Sequence, residues 1–281
     1  MYASFLVASG RLRPRRPNFG NLAEPLKVIA HRGASDLAPE NTLASVELAW
    51  RLGADAVEVD VRLTRDGRIV AIHDETTDRT AGLHLDVAAT HSSQLRQLDV
   101  GRHKHPKFAG ERIPYLEEVL QTVPPGRQLF VEIKCGPEIL PPLVQTIASS
   151  DQRPQVVTIG FNLDTVKAAK EAMPDVPAYW LCDKRVFVSY ERSIAEKAKA
   201  GGVDGLDVHW SGVTRRFIRA VKAAGLRLYI WTVDDPAQAF RLKAMGADGI
   251  TTNRPGWLRS RMEPPECMSA AMGATEIGKE G

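Results

Sequence analysis

The chain has 281 residues, 43% of them hydrophobic and 25% charged, which is enough for the full core of one large soluble domain. Its net charge of +3 is too mild to indicate a nucleic-acid partner, and no apolar run approaches the roughly 20 residues of a membrane-spanning helix. Three cysteines (Cys135, Cys182 and Cys267) show neither metal-ligand spacing nor an even framework, which suits a reducing, cytoplasmic setting.

Residues 1–26 precede any periodic pattern. In "MYASFLVASG" the apolar stretch comes before the arginines, the wrong order for a secretory signal. The first 23 residues carry four arginines and no acid, so the segment reads as a flexible leader, with an organellar transit peptide as the alternative. From residue 27 β-rich runs alternate with amphipathic stretches. The runs are "KVIAH", "AVEVDV", "LFVEIK", "VVTIGF", "PAYWLC", "VDGLDVHW", "LRLYIWTV" and "DGITTN". Between most of them lie helical patterns such as "TLASVELAWRLG", "LDTVKAAKEAM", "VTRRFIRAVKAAG" and "DPAQAFRLKAMG". Repeated β-then-α units predict parallel strands, and eight of them over this length predict a closed (β/α)8 barrel, the TIM-barrel form of the α/β class.

One segment breaks the rhythm. In "VEVDVRLTRDGRIVAIHD" two β-rich runs are joined only by Asp66-Gly67, and a turn that short makes the second run antiparallel to the first. It is therefore an excursion that carries His73 back toward the end of the second barrel strand. Residues 79–113 fit neither a strand nor one helix and read as a small inserted subdomain or lid. The barrel domain is expected over 27–258, and the tail 259–281, lacking apolar periodicity, is expected to be disordered.

In such a barrel the functional groups gather where the strands end. His31 and Arg32 end the first strand. Glu58 and Asp60, two apart in the second, point to one face, and Glu132 and Lys134 repeat that geometry in the third. His73 ends the excursion. Clustered carboxylates repel unless a cation compensates, and an all-oxygen set selects Mg2+ or Ca2+ over zinc. Two imidazoles can divide acid and base work near neutral pH, while Arg32 and Lys134 supply charge for an anionic, small-molecule substrate. Metal, imidazoles and cations together describe phosphoryl chemistry. Taken singly, each piece has a plainer reading. "HRG" can be structural, "EVD" a solvated strand face, "EIK" a local ion pair, "TRDG" a turn, and "PENT" a helix start with Asn41 or Thr42 as N-cap. His209, Trp210 and Trp231 either line the pocket or pack the rim. Cys135 lacks a base partner, and the histidines of the 79–113 segment read as surface groups.

The block "VIAHRGASDLAPENTLASVELAWRLGADAVEVDVRLTRDGRIVAIHDETTDRT" resembles the N-terminal block of glycerophosphodiester phosphodiesterases. "IPYLEEVL", "LFVEIK", "YIWTV" and "DGITTN" follow in the family's order. The resemblance covers roughly 27–257. It implies a TIM barrel with a small insertion, and His31 and His73 as the acid–base pair. It implies Glu58, Asp60 and Glu132 as ligands of one divalent cation, Mg2+ or Ca2+. Arg32 and Lys134 would hold the phosphate, and Trp231 would flank the glycerol or the leaving alcohol. The implied reaction is hydrolysis of glycerophosphodiesters, such as glycerophosphocholine, to an alcohol and sn-glycerol 3-phosphate. The chain departs from the family pattern at three places. Gly160-Phe161 stands where "SF" is common, Asp234 where Asn commonly follows "WTV", and Thr252-Asn253 where the last strand usually ends "TD". Two other readings are a phosphodiesterase of lysophospholipase D type, acting on lipids that keep one acyl chain, and a non-catalytic phosphoester-binding barrel. The first needs an apolar groove; the second would be expected to have lost a charged or imidazole group, and none is missing.

Overall fold

The computed structural model describes residues 25–183 and 189–262. Its strands are β1 (Lys27–His31), β2 (Ala56–Leu63), β3 (Ile69–Ala71), β4 (Gln128–Ile133), β5 (Val156–Gly160), β6 (Ala178–Cys182), β7 (Gly205–His209), β8 (Arg227–Trp231) and β9 (Gly249–Thr252). β1 pairs in parallel with both β9 and β2, so the sheet closes, and β2 with β4 to β9 completes an eight-stranded parallel barrel. The barrel expected from the sequence is the one observed. β3 pairs antiparallel with β2, Val61 opposite Ala71, as the two-residue turn requires.

The outer helices are α1 (Leu43–Arg51), α4 (Leu116–Gln121), α5 (Leu140–Ala148), α6 (Leu163–Ala172), α7 (Arg192–Ala200), α8 (Arg215–Ala223), α9 (Pro236–Met245) and α10 (Pro255–Met262); two single-turn helices, α2 (Asp78–Ala81) and α3 (Ser92–Leu95), lie in the insertion. Local chemistry starts and stops them. Thr214 accepts from the Phe217 amide to open α8, whose Phe217, Ile218 and Val221 are buried on one face. Asp235 caps α9, Pro236 takes its first turn, and Gly246 ends it at φ 101°. α10 runs to Met262, past the expected domain boundary at 258. The leader up to residue 24 and the tail from 263 lie outside the described residues.

Strand alternation separates two kinds of interior. Val57, Val59 and Val61 of β2 face the helices, while Ala56, Glu58 and Asp60 face the lumen. The lower lumen is filled by Ile29, Phe130, Val157, Ile159, Tyr179, Leu181 and Tyr229, with the Phe130 and Tyr229 rings edge-on at 5.2 Å. Each such buried side chain contributes about 1.5–3 kcal/mol. Gly249 makes room for this packing, since a Cβ there would sit 2.8 Å from the Tyr229 ring. The insertion closes on its own small core of Val70, Ile72, Val87, Leu95, Val100 and Ile113. No described helix is long and apolar enough to cross a membrane.

Candidate active site

Six of the side chains predicted from the sequence line one cavity of about 300 Å³ at the strand ends: His31, Arg32, Glu58, His73, Glu132 and Lys134. Trp231 lines it too, with Phe161 edge-on to its indole at 5.8 Å. Asp60 sits behind them, fully buried. A larger hollow of about 520 Å³ beside Arg68 and Gln145 holds none of these groups.

The backbone after β1 makes the site possible. Arg32 and Gly33 both turn left-handed, at φ 55° and 80°. The conformation is costly for arginine, by about 1–3 kcal/mol. Gly33 is required, because a Cβ would lie 2.4 Å from Ser45 Oγ. The turn points the Arg32 amide at Glu58 Oε2 (2.8 Å) and places its guanidinium against Asp60 Oδ2 (3.1 Å) and Glu40 Oε1 (3.0 Å). Of the two cap candidates in "PENT", the structure selects Thr42. Thr42 is the N-cap of α1, accepting from the Ser45 amide. Asn41, at φ 57°, is no cap. It donates from Nδ2 to Asp60 Oδ2 (2.8 Å) and accepts from the Asp60 amide (3.0 Å).

Register completes the acidic cluster. Asp60 pairs with Glu132 across β2 and β4, and one oxygen each of Glu58, Asp60 and Glu132 lie within 4.8 Å of one another. Lys134 donates to Glu132 Oε1 (2.8 Å) and stands 3.6 Å from Asp60 Oδ1. Burial, then the neighbouring carboxylates, raises the Glu58 carboxyl well above its ordinary range. Glu132 is raised by burial and Asp60, with Lys134 opposing. Glu58 Oε1 and Asp60 Oδ1 are buried without a hydrogen-bond partner among the described residues. Buried, crowded, under-satisfied oxygens are the donor set a hard divalent cation satisfies, so these residues fit a metal ion.

The two imidazoles are braced differently. His73 Nδ1 lies 2.7 Å from Asp74 Oδ1, and Arg79 Nε donates to Asp74 Oδ2 (2.6 Å). His31 Nδ1 lies 2.7 Å from Asn253 Oδ1. Both rings are pushed toward the neutral form, chiefly by burial, with Arg32 adding to the effect at each and Asp60 opposing it. His209 packs against Trp231 at 5.1 Å, while Trp210 stays 39% exposed and does not line the cavity. Burial raises the Cys135 thiol, which removes it further from nucleophilic use.

Several site groups escaped the sequence reading. Asp74 directly follows His73 and was legible as its orienting partner. Asp207 alternates with His209 along β7 and lines the cavity floor, its carboxyl raised by burial and by Glu132. Glu40 and Arg79 carried no periodic signal.

Comparison with known proteins shows the family of the chain. The sequence profile of the glycerophosphoryl diester phosphodiesterase family matches residues 31–257. A glycerophosphodiester phosphodiesterase of Caldanaerobacter subterraneus is 34% identical over 235 residues, spanning 81% of this chain and 94% of that protein. One from Bacillus subtilis is 28% identical over 256 residues, 84% and 87% of the two chains. Among solved structures, a phosphodiesterase of Oleispira antarctica in complex with the product sn-glycerol-3-phosphate superposes with a TM-score of 0.79 at 29% identity, covering 85% of this chain and 97% of that one. The chain belongs to the glycerophosphoryl diester phosphodiesterase family, and it is a hydrolase of that family.

Proposed function

We propose that the protein hydrolyses glycerophosphodiesters, such as glycerophosphocholine, to an alcohol and sn-glycerol 3-phosphate. The observation that carries this reading is one cavity lined by two imidazoles, two cationic side chains and carboxylates of the buried Glu58–Asp60–Glu132 cluster. The product seen in the Oleispira relative supports the same substrate class.

Glu58, Asp60 and Glu132 would hold Mg2+ or Ca2+. When bound, the ion supplies positive charge to a phosphoryl oxygen and eases deprotonation of a hydroxyl beside it. Arg32 and Lys134 line the cavity where the phosphate enters and balance its remaining charge. His31 and His73, each braced through Nδ1, have Nε2 as their working nitrogen. One takes the proton of the attacking hydroxyl, from water or from the glycerol 2-position; attack by the latter gives a cyclic phosphate that water then opens to sn-glycerol 3-phosphate. The phosphorus–oxygen bond to the alcohol breaks, and the other imidazole, in its charged form, gives that oxygen its Nε2 proton. Trp231 and Phe161 form the apolar wall beside the glycerol or the alcohol.

A second reading, a lysophospholipid as substrate, is favoured by Phe161, which is 44% exposed at the cavity and offers an apolar edge to one acyl chain. The test measures turnover of glycerophosphocholine and lysophosphatidylcholine with Mg2+, with Ca2+ and after chelation. Release of sn-glycerol 3-phosphate from glycerophosphocholine that chelation abolishes supports the first reading. Turnover of lysophosphatidylcholine alone establishes the second, and turnover of neither removes both.

A further inference from the structure

Asp234 follows β8, and its carboxylate collects three hydrogen bonds. Thr252 Oγ1 (2.7 Å) and the Asn253 amide (2.8 Å) donate to Oδ1, and Asn253 Nδ2 (2.7 Å) donates to Oδ2. An ionised carboxylate only accepts, so the Asn253 atom facing it is the NH2 group. The amide oxygen then faces the other way, where it lies 2.7 Å from His31 Nδ1 and accepts from Ser35 Oγ at 3.1 Å. A carbonyl oxygen cannot donate. His31 Nδ1 therefore carries a hydrogen, which leaves Nε2 as the nitrogen that can gain or lose one.

One carboxylate and one amide satisfy the arrangement either way round. With the amide at 234, its oxygen accepts from Thr252 Oγ1 and the backbone, and its NH2 donates to a carboxylate at 253. The free oxygen of that carboxylate still accepts from His31 Nδ1. Two carboxylates would repel at this distance, and two amides would set a donor against a donor.

We propose that Asp234 and Asn253 are a positioning unit that holds a hydrogen on His31 Nδ1 and leaves Nε2 for proton transfer, and that carboxylate and amide can exchange places only as a pair. The catalytic consequence rests on the role given to His31 above; the placement of the hydrogen does not.

The test uses Asp234→Asn, Asn253→Asp and the double exchange, with glycerophosphocholine kinetics and nitrogen-15 NMR of the imidazoles, His31 being assigned by loss of its signals in His31→Ala. In the neutral ring of the parent, Nδ1 is expected to carry the hydrogen and Nε2 to be bare. Each single variant is expected to lose about 10- to 100-fold in kcat with little change in KM, the scale of a lost orienting partner. The double exchange is expected to recover most of that loss. Hydrogen on Nε2 in the neutral ring of the parent, unchanged kcat in both single variants, or a double variant as poor as the two losses combined would overturn the proposal. If a single variant does not fold, stability replaces kcat as the readout: a double variant that folds supports the unit, and one that does not counts against it. If the parent turns over no phosphodiester, the function reading fails, and the NMR result alone decides this proposal.

Discussion

Arg79, in the first helix of the insertion, grips Glu40, in the loop after β1, with two parallel hydrogen bonds: Nη1 to Oε2 at 2.8 Å and Nη2 to Oε1 at 2.7 Å. Glu40 also takes Arg32, and Arg79 also takes Asp74, the partner of His73. An unbroken chain of hydrogen bonds and ion pairs thus runs from His73 through Asp74, Arg79, Glu40 and Arg32 to Asp60. It couples the insertion to both ends of the site.

Breaking the grip should loosen His73 and Arg32 together. Arg79→Ala is expected to lower kcat/KM for glycerophosphocholine by about tenfold, the order found for lost orienting partners. Arg79→Lys should recover only part of the loss, because an ammonium cannot reproduce the two-pronged geometry. Steady-state kinetics of the two variants check this. Full activity in Arg79→Ala would show that the insertion covers the site without organising it.

The same pair sets an acid limit on stability. Burial alone would raise the Glu40 carboxyl, but the hydrogen bonds of Arg79 and the charge of Arg32 outweigh it and hold the group at about 2, against an ordinary 4.5. A carboxyl depressed on folding contributes stability that is present above pH 4.5 and lost as pH falls toward 2. Urea midpoints of the parent and Glu40→Gln should therefore differ most above about pH 5 and converge near the lower value. A difference that stays constant with pH would contradict the assignment.

The carboxylate cluster should trade stability for metal binding. Without a cation, Glu58 is buried against Asp60 and Glu132, which its raised carboxyl already registers. Glu58→Gln removes that repulsion and keeps an oxygen for the Arg32 amide. In chelator its melting temperature should exceed the parent's, by roughly 2–4 °C for each kcal/mol relieved. On adding Mg2+ or Ca2+ the parent should gain and the variant should not, since an ion bound only by the native state stabilises it. Thermal melts with and without ion decide both halves.

The barrel and the core of the site were legible for a physical reason: strand periodicity and turn length are local. Alternation alone put Glu58 beside Asp60, and the Asp66-Gly67 turn alone returned His73 alongside β2, where the Ile72 amide donates to Asp60 O at 2.9 Å. The bracing groups distant in sequence were not legible. Glu40 meets Arg79, and Asp234 meets Asn253, only after the barrel closes, and nothing in their spacing marks them. Asn41 has a role that its position did not signal. Its place in "PENT" suits an N-cap, yet the fold uses its amide to hold Asp60 and leaves capping to Thr42.

The central claim is that His31 and His73 move the protons of phosphodiester cleavage. Turnover of glycerophosphocholine by His31→Ala and His73→Ala, with Mg2+ or Ca2+ present, tests it most directly. Each variant is expected to fall by about 10²–10⁴-fold in kcat while remaining folded, the usual weight of a proton-transferring side chain. Parental rates in both variants would contradict the account.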